Sequence, residues 1–253
     1  MHYQTNVTDT VYRYDGTFQG YLCCVFASFS RKEIPAGIWS PERGQMTFFD
    51  SLEIVTDSAK ARRVAAGLRR LGSEVQDRVT KGFLSCEPEK ELILLRFVRL
   101  CFEHGPGTVH MTGDPDVCAA FDLARSVANE AGKYLEFIRF EQRGTMLGTE
   151  IHPKNNILPL LRAHFCDRLP DEDFLIFDAT HGMALLRQNG RVQYLTMEHY
   201  DPHAGEEELD WQTLWKKFFD AVTIEERCDK KRQMNHAPKR YWRDMCEMAP
   251  RKG

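Results

Sequence analysis

Asn189-Gly190 stands between two runs of alternating character, Met183–Gln188 and Arg191–Thr196, and this arrangement narrows the possible folds more than any other feature. Asn-Gly is the strongest two-residue turn signal, because both central residues of such a turn need positive φ. Each run therefore reads as a strand, and the pair as a hairpin whose register the turn dictates. Neighbouring segments extend the pattern. Residues 134–141 alternate, with Leu135, Phe137 and Arg139 on one side and Tyr134, Glu136, Ile138 and Phe140 on the other. A turn at Arg143-Gly144 leads into a second strand over 145–152. Asn155 or Asn156 then caps a helix over 157–168 that carries Leu158, Leu161 and Phe165 at helical spacing. Residues 174–178 form an apolar strand that ends on Asp178. The expectation for 133–199 is an antiparallel ββαβββ sheet module.

Helical signals dominate what precedes it. A short strand at 11–14 runs into Asp15-Gly16, and Asp15 or Thr17 caps an almost wholly apolar helix over 18–29. The stretch 58–75 reads as one amphipathic helix: Val64, Leu68, Leu71 and Val75 form its core stripe, and Arg62, Arg63, Arg69 and Arg70 its opposite face. Pro88 suits the first turn of a helix that ends at His104-Gly105-Pro106. Asp114 caps the next, with Pro115 at its first position and Gly132 at its close. Beyond the sheet module, a helix is expected over 209–222, followed by a basic tail. The fold class is α+β: a mainly helical region over 1–132, the sheet module over 133–199, and a helical C-terminal tail over 206–253. These parts could also form one compact domain.

Composition excludes several functions. With 42% hydrophobic and 28% charged residues, the chain is expected to be an ordinary globular protein. A net charge of −3 rules out a globally basic nucleic-acid binder but leaves room for a basic patch. No apolar run is long enough for a membrane span and the first residues are polar, so neither a span nor a signal peptide is expected. The eight cysteines then read mostly as reduced, buried thiols of a cytoplasmic protein. Metal-binding patterns are absent. Cys23-Cys24 point to different sides of one helix, and His199-x-x-x-His203 contains Pro202 in an evident loop. Nothing in the sequence calls for a metal or cofactor; phosphate-loop, dinucleotide and nucleophile-elbow patterns are missing too.

Candidate functional residues fall in three groups. The four arginines of 58–75 could track a phosphate backbone, since guanidinium matches phosphate oxygens in a forked geometry; they could equally be a solvated face paired with acids. The tail sets Lys239 and Arg240 beside Tyr241 and Trp242. Cations interleaved with aromatics suit single-stranded nucleic acid, while packing onto the body accounts for the same rings. Inside the sheet module lies a polar set of Arg139, Glu141, His152, His164, Arg168, Asp178 and His181. Within it His152, His164 and Asp178 are the candidate acid–base group, Arg139 and Arg168 candidate nucleic-acid contacts, and a structural Arg168–Asp178 ion pair is the plain alternative.

Taken as an ordered set, these segments carry a resemblance. Tyr14-Asp15-Gly16-Thr17-Phe18, Gly67-Leu68-Arg69-Arg70, Phe137-Ile138-Arg139-Phe140-Glu141 and Ile151-His152-Pro153 come first. His164-Phe165, Arg168-Leu169, Phe177-Asp178 and Pro238-Lys239-Arg240-Tyr241-Trp242 follow. The set resembles a bacterial family of proteins assigned to DNA metabolism or repair without an established reaction. Genes of that family typically sit beside one for a radical-SAM protein thought to act in DNA modification or repair. A related domain is fused behind some X-type uracil-DNA glycosylases. The resemblance spans nearly the whole chain and implies DNA as a partner, together with the radical-SAM protein. At Thr180-His181 the chain departs from the family pattern, which leads one to expect a more basic pair after the aspartate. Three readings follow: a DNA-associated protein of repair or base modification, a non-catalytic module presenting DNA to the radical-SAM enzyme, or an enzyme acting on a free nucleotide or base.

Overall fold

The structure is a computed structural model that describes residues 6–41, 49–200 and 234–245. The chain divides into two compact units, Met1–Val127 and Ala128–Gly253.

In the first unit, strand β1 (Asn6–Val7) precedes β2 (Val11–Arg13), which leads through Asp15-Gly16 into α1 (Phe18–Arg31). The Thr17 hydroxyl caps α1 by accepting from the Gly20 amide at 3.0 Å. Tyr21, Leu22, Cys23, Cys24 and Val25 are all buried, as a helix apolar around its circumference requires. After β3 (Glu33–Ile34), strands β4 (Gly37–Trp39) and β5 (Ser51–Glu53) flank β2 in a small parallel sheet, and β3 pairs in parallel with β1.

The single helix expected over 58–75 is two helices, α2 (Ser58–Arg70) and α3 (Ser73–Phe83). Gly72 breaks it with φ +109°, a conformation that no helix interior accommodates. The apolar stripe nevertheless continues across the break, through Val64 and Leu68 to Val75 and Val79. α4 (Lys90–His104) and a short 3₁₀ turn (Pro106–His110) follow. Asp114 then opens α5 (Pro115–Phe137), its Oδ1 accepting from the amides of Asp116 and Val117.

The strand expected over 134–141 is overturned, because α5 runs through Gly132 to Phe137. Val127, Ala131 and Tyr134 are buried on it, as is Ile138 just beyond its end, and their spacing is helical rather than alternate. What remains of that strand is β6 (Glu141–Arg143), which pairs with β7 (Met146–Ile151). Next comes α6 (Leu158–Arg168), then β8 (Phe174–Asp178), β9 (Met183–Gln188) and β10 (Arg191–Thr196). The five strands lie in the order β10-β9-β8-β7-β6. This sheet is mixed, which corrects the wholly antiparallel expectation. β7 and β8 are parallel because α6 carries the chain back across the sheet before β8 begins. Asn189 (φ 51°) and Gly190 (φ 72°) both take positive φ at the β9–β10 turn, as the sequence demands.

Every residue of β8 is buried. Phe140, Phe165 and Phe174 form one edge-to-face group. Leu175, Phe177 and Ala184 anchor a second cluster with Met146, Leu186 and Tyr200. Successive strand residues face opposite ways, so both faces of β8 are covered. Neither Asn155 nor Asn156 caps α6, whose N-cap position is Ile157 without a side-chain bond. Asn155 is turned inward and held by Glu130 instead. The expected helix over 209–222 lies outside the described residues, and the described part of the tail contains a 3₁₀ helix, Lys239–Asp244. Among the described residues, no helix is long and apolar enough to cross a membrane.

Candidate functional site

Four arginines define one surface of the first unit. Asp57 caps α2, its Oδ1 accepting from the amides of Ala59 and Lys60 at 2.8 and 3.2 Å. Those two bonds hold its carboxyl below the usual aspartate value. From this anchored start, Ala61, Val64 and Leu68 turn inward while Arg62, Arg63, Arg69 and Arg70 are all exposed. Arg62 Nε donates to the Ser58 carbonyl at 3.1 Å, and the Arg63 guanidinium sits 5.8 Å from the Phe26 ring centroid. Among the described residues, none of the four is ion-paired with a carboxylate. Arg69 and Arg70 also occupy the last turn of α2, where the helix dipole favours positive charge. Four guanidinium groups thus face solvent over about two turns.

The second unit gathers histidines and carboxylates at the carboxyl ends of its two parallel strands. Ile151 and Asp178 are register partners, so His152 follows β7 beside the end of β8. The Asp178 carboxylate is completely buried. Its Oδ1 accepts from the amides of Thr180 and His181 at 3.0 and 3.1 Å, and its Oδ2 lies 2.6 Å from His181 Nδ1. A carboxylate at Nδ1 orients the ring and, when the ring is neutral, favours the tautomer with its proton on that nitrogen and Nε2 as acceptor. The His181 side chain is 27% exposed.

His152 is held differently. Its Nδ1 lies 3.0 Å from Asp244 Oδ1, and its Nε2 lies 3.1 Å from Glu150 Oε1. Tyr134 donates its hydroxyl to the other Asp244 oxygen at 3.1 Å, and Arg243 Nε approaches at 3.5 Å. Burial pushes the Asp244 carboxyl above its usual value, against the Tyr134 hydroxyl and Arg243, which pull it down. Glu130, also buried, accepts from the Lys154 amide and from the Asn155 amide and side chain, with Arg240 at 3.7 Å. These bonds fix the segment after β7 against α5.

The structure therefore brings His152 and Asp178 to neighbouring strand ends but leaves His164 apart. His164 is exposed in the second half of α6, its ring edge-on to Phe165. Asp178 pairs with His181, so the Arg168–Asp178 ion pair considered from sequence is not formed. Arg168 is exposed in the last turn of α6. Arg139 is exposed as well, its Nη1 donating to the carbonyls of Glu136 and Ile138.

In the tail, Lys239 and Arg240 are exposed, whereas Tyr241 is 1% exposed and packs against Tyr134 and Phe137. Its ring is not open to a stacking base. Trp242 is partly buried, and its indole donates to the Ala237 carbonyl at 2.7 Å. Glu150, Tyr134 and Asp244 were not singled out from sequence. Tyr134, one turn from Glu130 on α5, was hidden by the strand reading. Asp244 lies 92 residues from His152, and no local pattern connects them. Among the described residues, no group of three or more His, Cys, Asp or Glu is placed to hold a metal ion.

The model of a family described as a domain of unknown function, DUF4130, matches residues 88–247. No curated protein and no solved structure matches the chain.

Proposed function

Because the chain belongs to the DUF4130 family, whose description carries no activity, we propose a function from its exposed arginines together with the resemblance of its motifs: a DNA-associated protein, with repair or base modification as what the resemblance implies. The observation that carries this reading is the exposed arginine face of α2, with four guanidinium groups in one patch of a chain whose net charge is −3. In a net-negative protein, arginines concentrated on one helix and without a carboxylate partner among the described residues suit an anion, and their spread along about two turns suits a polymer of phosphates. The radical-SAM enzyme implied by the resemblance is the proposed companion. Acid–base work falls to the Asp178–His181 pair and to His152, at the carboxyl ends of two parallel strands, where open α/β sheets place ligands.

The test is fluorescence anisotropy with labelled oligonucleotides across a salt series. Four phosphate contacts on duplex DNA give a slope of log affinity against log salt of about −3.6. Replacing Arg62, Arg63, Arg69 and Arg70 together by Ala is expected to flatten most of that slope. Unchanged affinity and slope in the folded variant would overturn the reading. One observation favours the second reading, a non-catalytic module that presents DNA to the companion enzyme: both ring nitrogens of His152 are occupied by carboxylates. His181→Gln and His152→Gln decide between the two. If DNA processing by the reconstituted pair survives both substitutions, the protein is an accessory module.

A further inference from the structure

The α2 arginine face borders a set of aromatic rings that three helices bring together. The stripe Lys60, Arg63, Gly67 and Arg70 runs along one side of α2, because residues three and four apart share a helix face. Phe26 of α1 lies beneath Lys60 and Arg63, at 6.0 and 5.8 Å. One turn on, Phe29 is 38% exposed and carries the Arg99 guanidinium 4.7 Å from its centroid. Arg99 is itself held there by bonds to the Ser28 hydroxyl and carbonyl. Phe102 of α4 is 39% exposed and meets Phe29 edge to face at 5.3 Å.

Gly67 shows that this arrangement has a cost. A Cβ at position 67 would stand 2.7 Å from Phe102 Cζ, so the ring lies this close to α2 because the position is glycine, and a larger residue would push it outward. Glycine inside a helix is unfavourable relative to alanine. Here it is spent on seating a ring that keeps more than a third of its surface in water. Core packing gains little from such a ring; a surface that needs its face gains directly. Acidic residues also stand nearby: Asp57 lies 3.7 Å from Lys60, and Glu103 is beside Arg99.

We infer that this face binds single-stranded DNA, with bases stacking on Phe102 and Phe29 while Lys60, Arg63 and Arg70 engage the phosphates. The inference rests on the DNA reading above and adds to it the form of the nucleic acid and the residues that select it. Paired bases in a duplex bury their faces in the helical stack, whereas unpaired bases offer them, so exposed rings among cations favour the single strand. The sequence points for this purpose to the tail, where Tyr241 proves buried. Phe29 and Phe102, both in the first unit, are open and stand beside the arginine face.

The experiment compares an oligo-dT strand carrying 2-aminopurine with a duplex of the same length, using the native chain, Phe102→Leu, Phe29→Leu and the double variant. Leucine keeps the site apolar and removes the π-face, and circular dichroism with urea unfolding confirms the fold of each. The expected result is a loss of single-strand affinity of about tenfold per ring, the order of one base–aromatic stack. Quenching of 2-aminopurine should weaken in parallel, while duplex affinity and both salt slopes stay unchanged because the phosphate contacts remain. If the double variant binds and quenches the single strand like the native chain, the stacking surface is refuted and the DNA reading stands. If the native chain binds neither strand form at low salt, the DNA reading itself fails. Phe29→Leu alone carries the test should Phe102→Leu not fold.

Discussion

Glu130 is a buried carboxylate that organises the residues around the candidate acid–base site. Its two oxygens accept from the Lys154 amide, the Asn155 amide and the Asn155 side chain, at 3.1, 2.8 and 2.7 Å. Glu130→Ala would leave these donors without this acceptor, the two from Asn155 in a buried setting. The expected loss is roughly 2–4 kcal/mol, from one to three unsatisfied buried groups. Urea unfolding measures it, and a change under about 0.5 kcal/mol, the usual size for surface substitutions, would show that the carboxylate is not a structural pin. Cysteine accessibility offers a second check at this scale. Cys86 and Cys118 are exposed, while Cys23, Cys24 and Cys101 are buried; burial pushes the Cys101 thiol up to about 12 and Cys24 further. Thiolate is the reactive form. A thiol reagent at pH 8 is therefore expected to modify Cys86 and Cys118 in the folded protein and to reach Cys24 and Cys101 only on unfolding. Rapid labelling of Cys24 in native conditions would contradict the packing of α1.

Among the elements, the junction of α2 and α3 shows how a readable stripe can conceal a break. Val64, Leu68 and Val75 keep helical spacing, and a glycine within such a pattern is normally tolerated. Gly72 adopts φ +109°, ψ 161°, which is open essentially to glycine alone. No atom lies within 4 Å of a Cβ built there, so Gly72→Ala isolates the backbone term. The expected destabilisation is about 1–3 kcal/mol, read from the shift in urea midpoint at constant m-value. A neutral substitution would mean that α2 and α3 can merge without penalty. The α5–β6 boundary teaches a related lesson. Residues 134–141 satisfy an alternating template, yet Tyr134 and Ile138 are also one helical turn apart. The buried run Val127, Ala131, Tyr134 extends the established helix, and this outweighed the local strand pattern. By contrast, the β9–β10 hairpin was legible in full, because Asn189-Gly190 determines both turn type and register within the segment itself.

For the molecule as a whole, acid stability follows from how its carboxylates are held. Burial raises the Glu33 carboxyl, but bonds from the Tyr12 hydroxyl at 2.7 Å and Arg31 at 2.6 Å outweigh it and leave it lowered. Asp57 is lowered by its cap bonds, and Asp15 is lowered by the Thr56 and Thr17 hydroxyls despite burial. A depressed folded-state value means that, below the unfolded value, the unfolded chain binds more protons than the folded one. Stability contributed by these groups is complete above about pH 4.5, the usual glutamate range, and is lost as pH falls through the depressed values. The unfolding free energy of the native chain should drop across that window, and Glu33→Gln should reduce the dependence. Equal pH profiles for the two proteins would show that Glu33 contributes none of it. Asp244 and Asp116, both raised by burial, act in the opposite sense, their contribution falling as pH rises above the ordinary aspartate value.

What the sequence by itself determined is local. It specified the α+β class, the Asp114 cap, a cap for α1 at Asp15 or Thr17, the amphipathic arginine face of α2 and the Asn189-Gly190 hairpin, because each depends on side chains within one or two turns of one another. Tertiary structure decided what those elements meet. The parallel β7–β8 pair follows from the path of α6. The position of His152 between Glu150 and Asp244, and the enclosure of Tyr241 by Tyr134 and Phe137, join parts of the chain about a hundred residues apart. The exposed rings beside Gly67 belong to α1 and α4, and nothing in either helix alone marks them as neighbours of α2. Periodicity reports which way a side chain points. Only packing reports what stands opposite it.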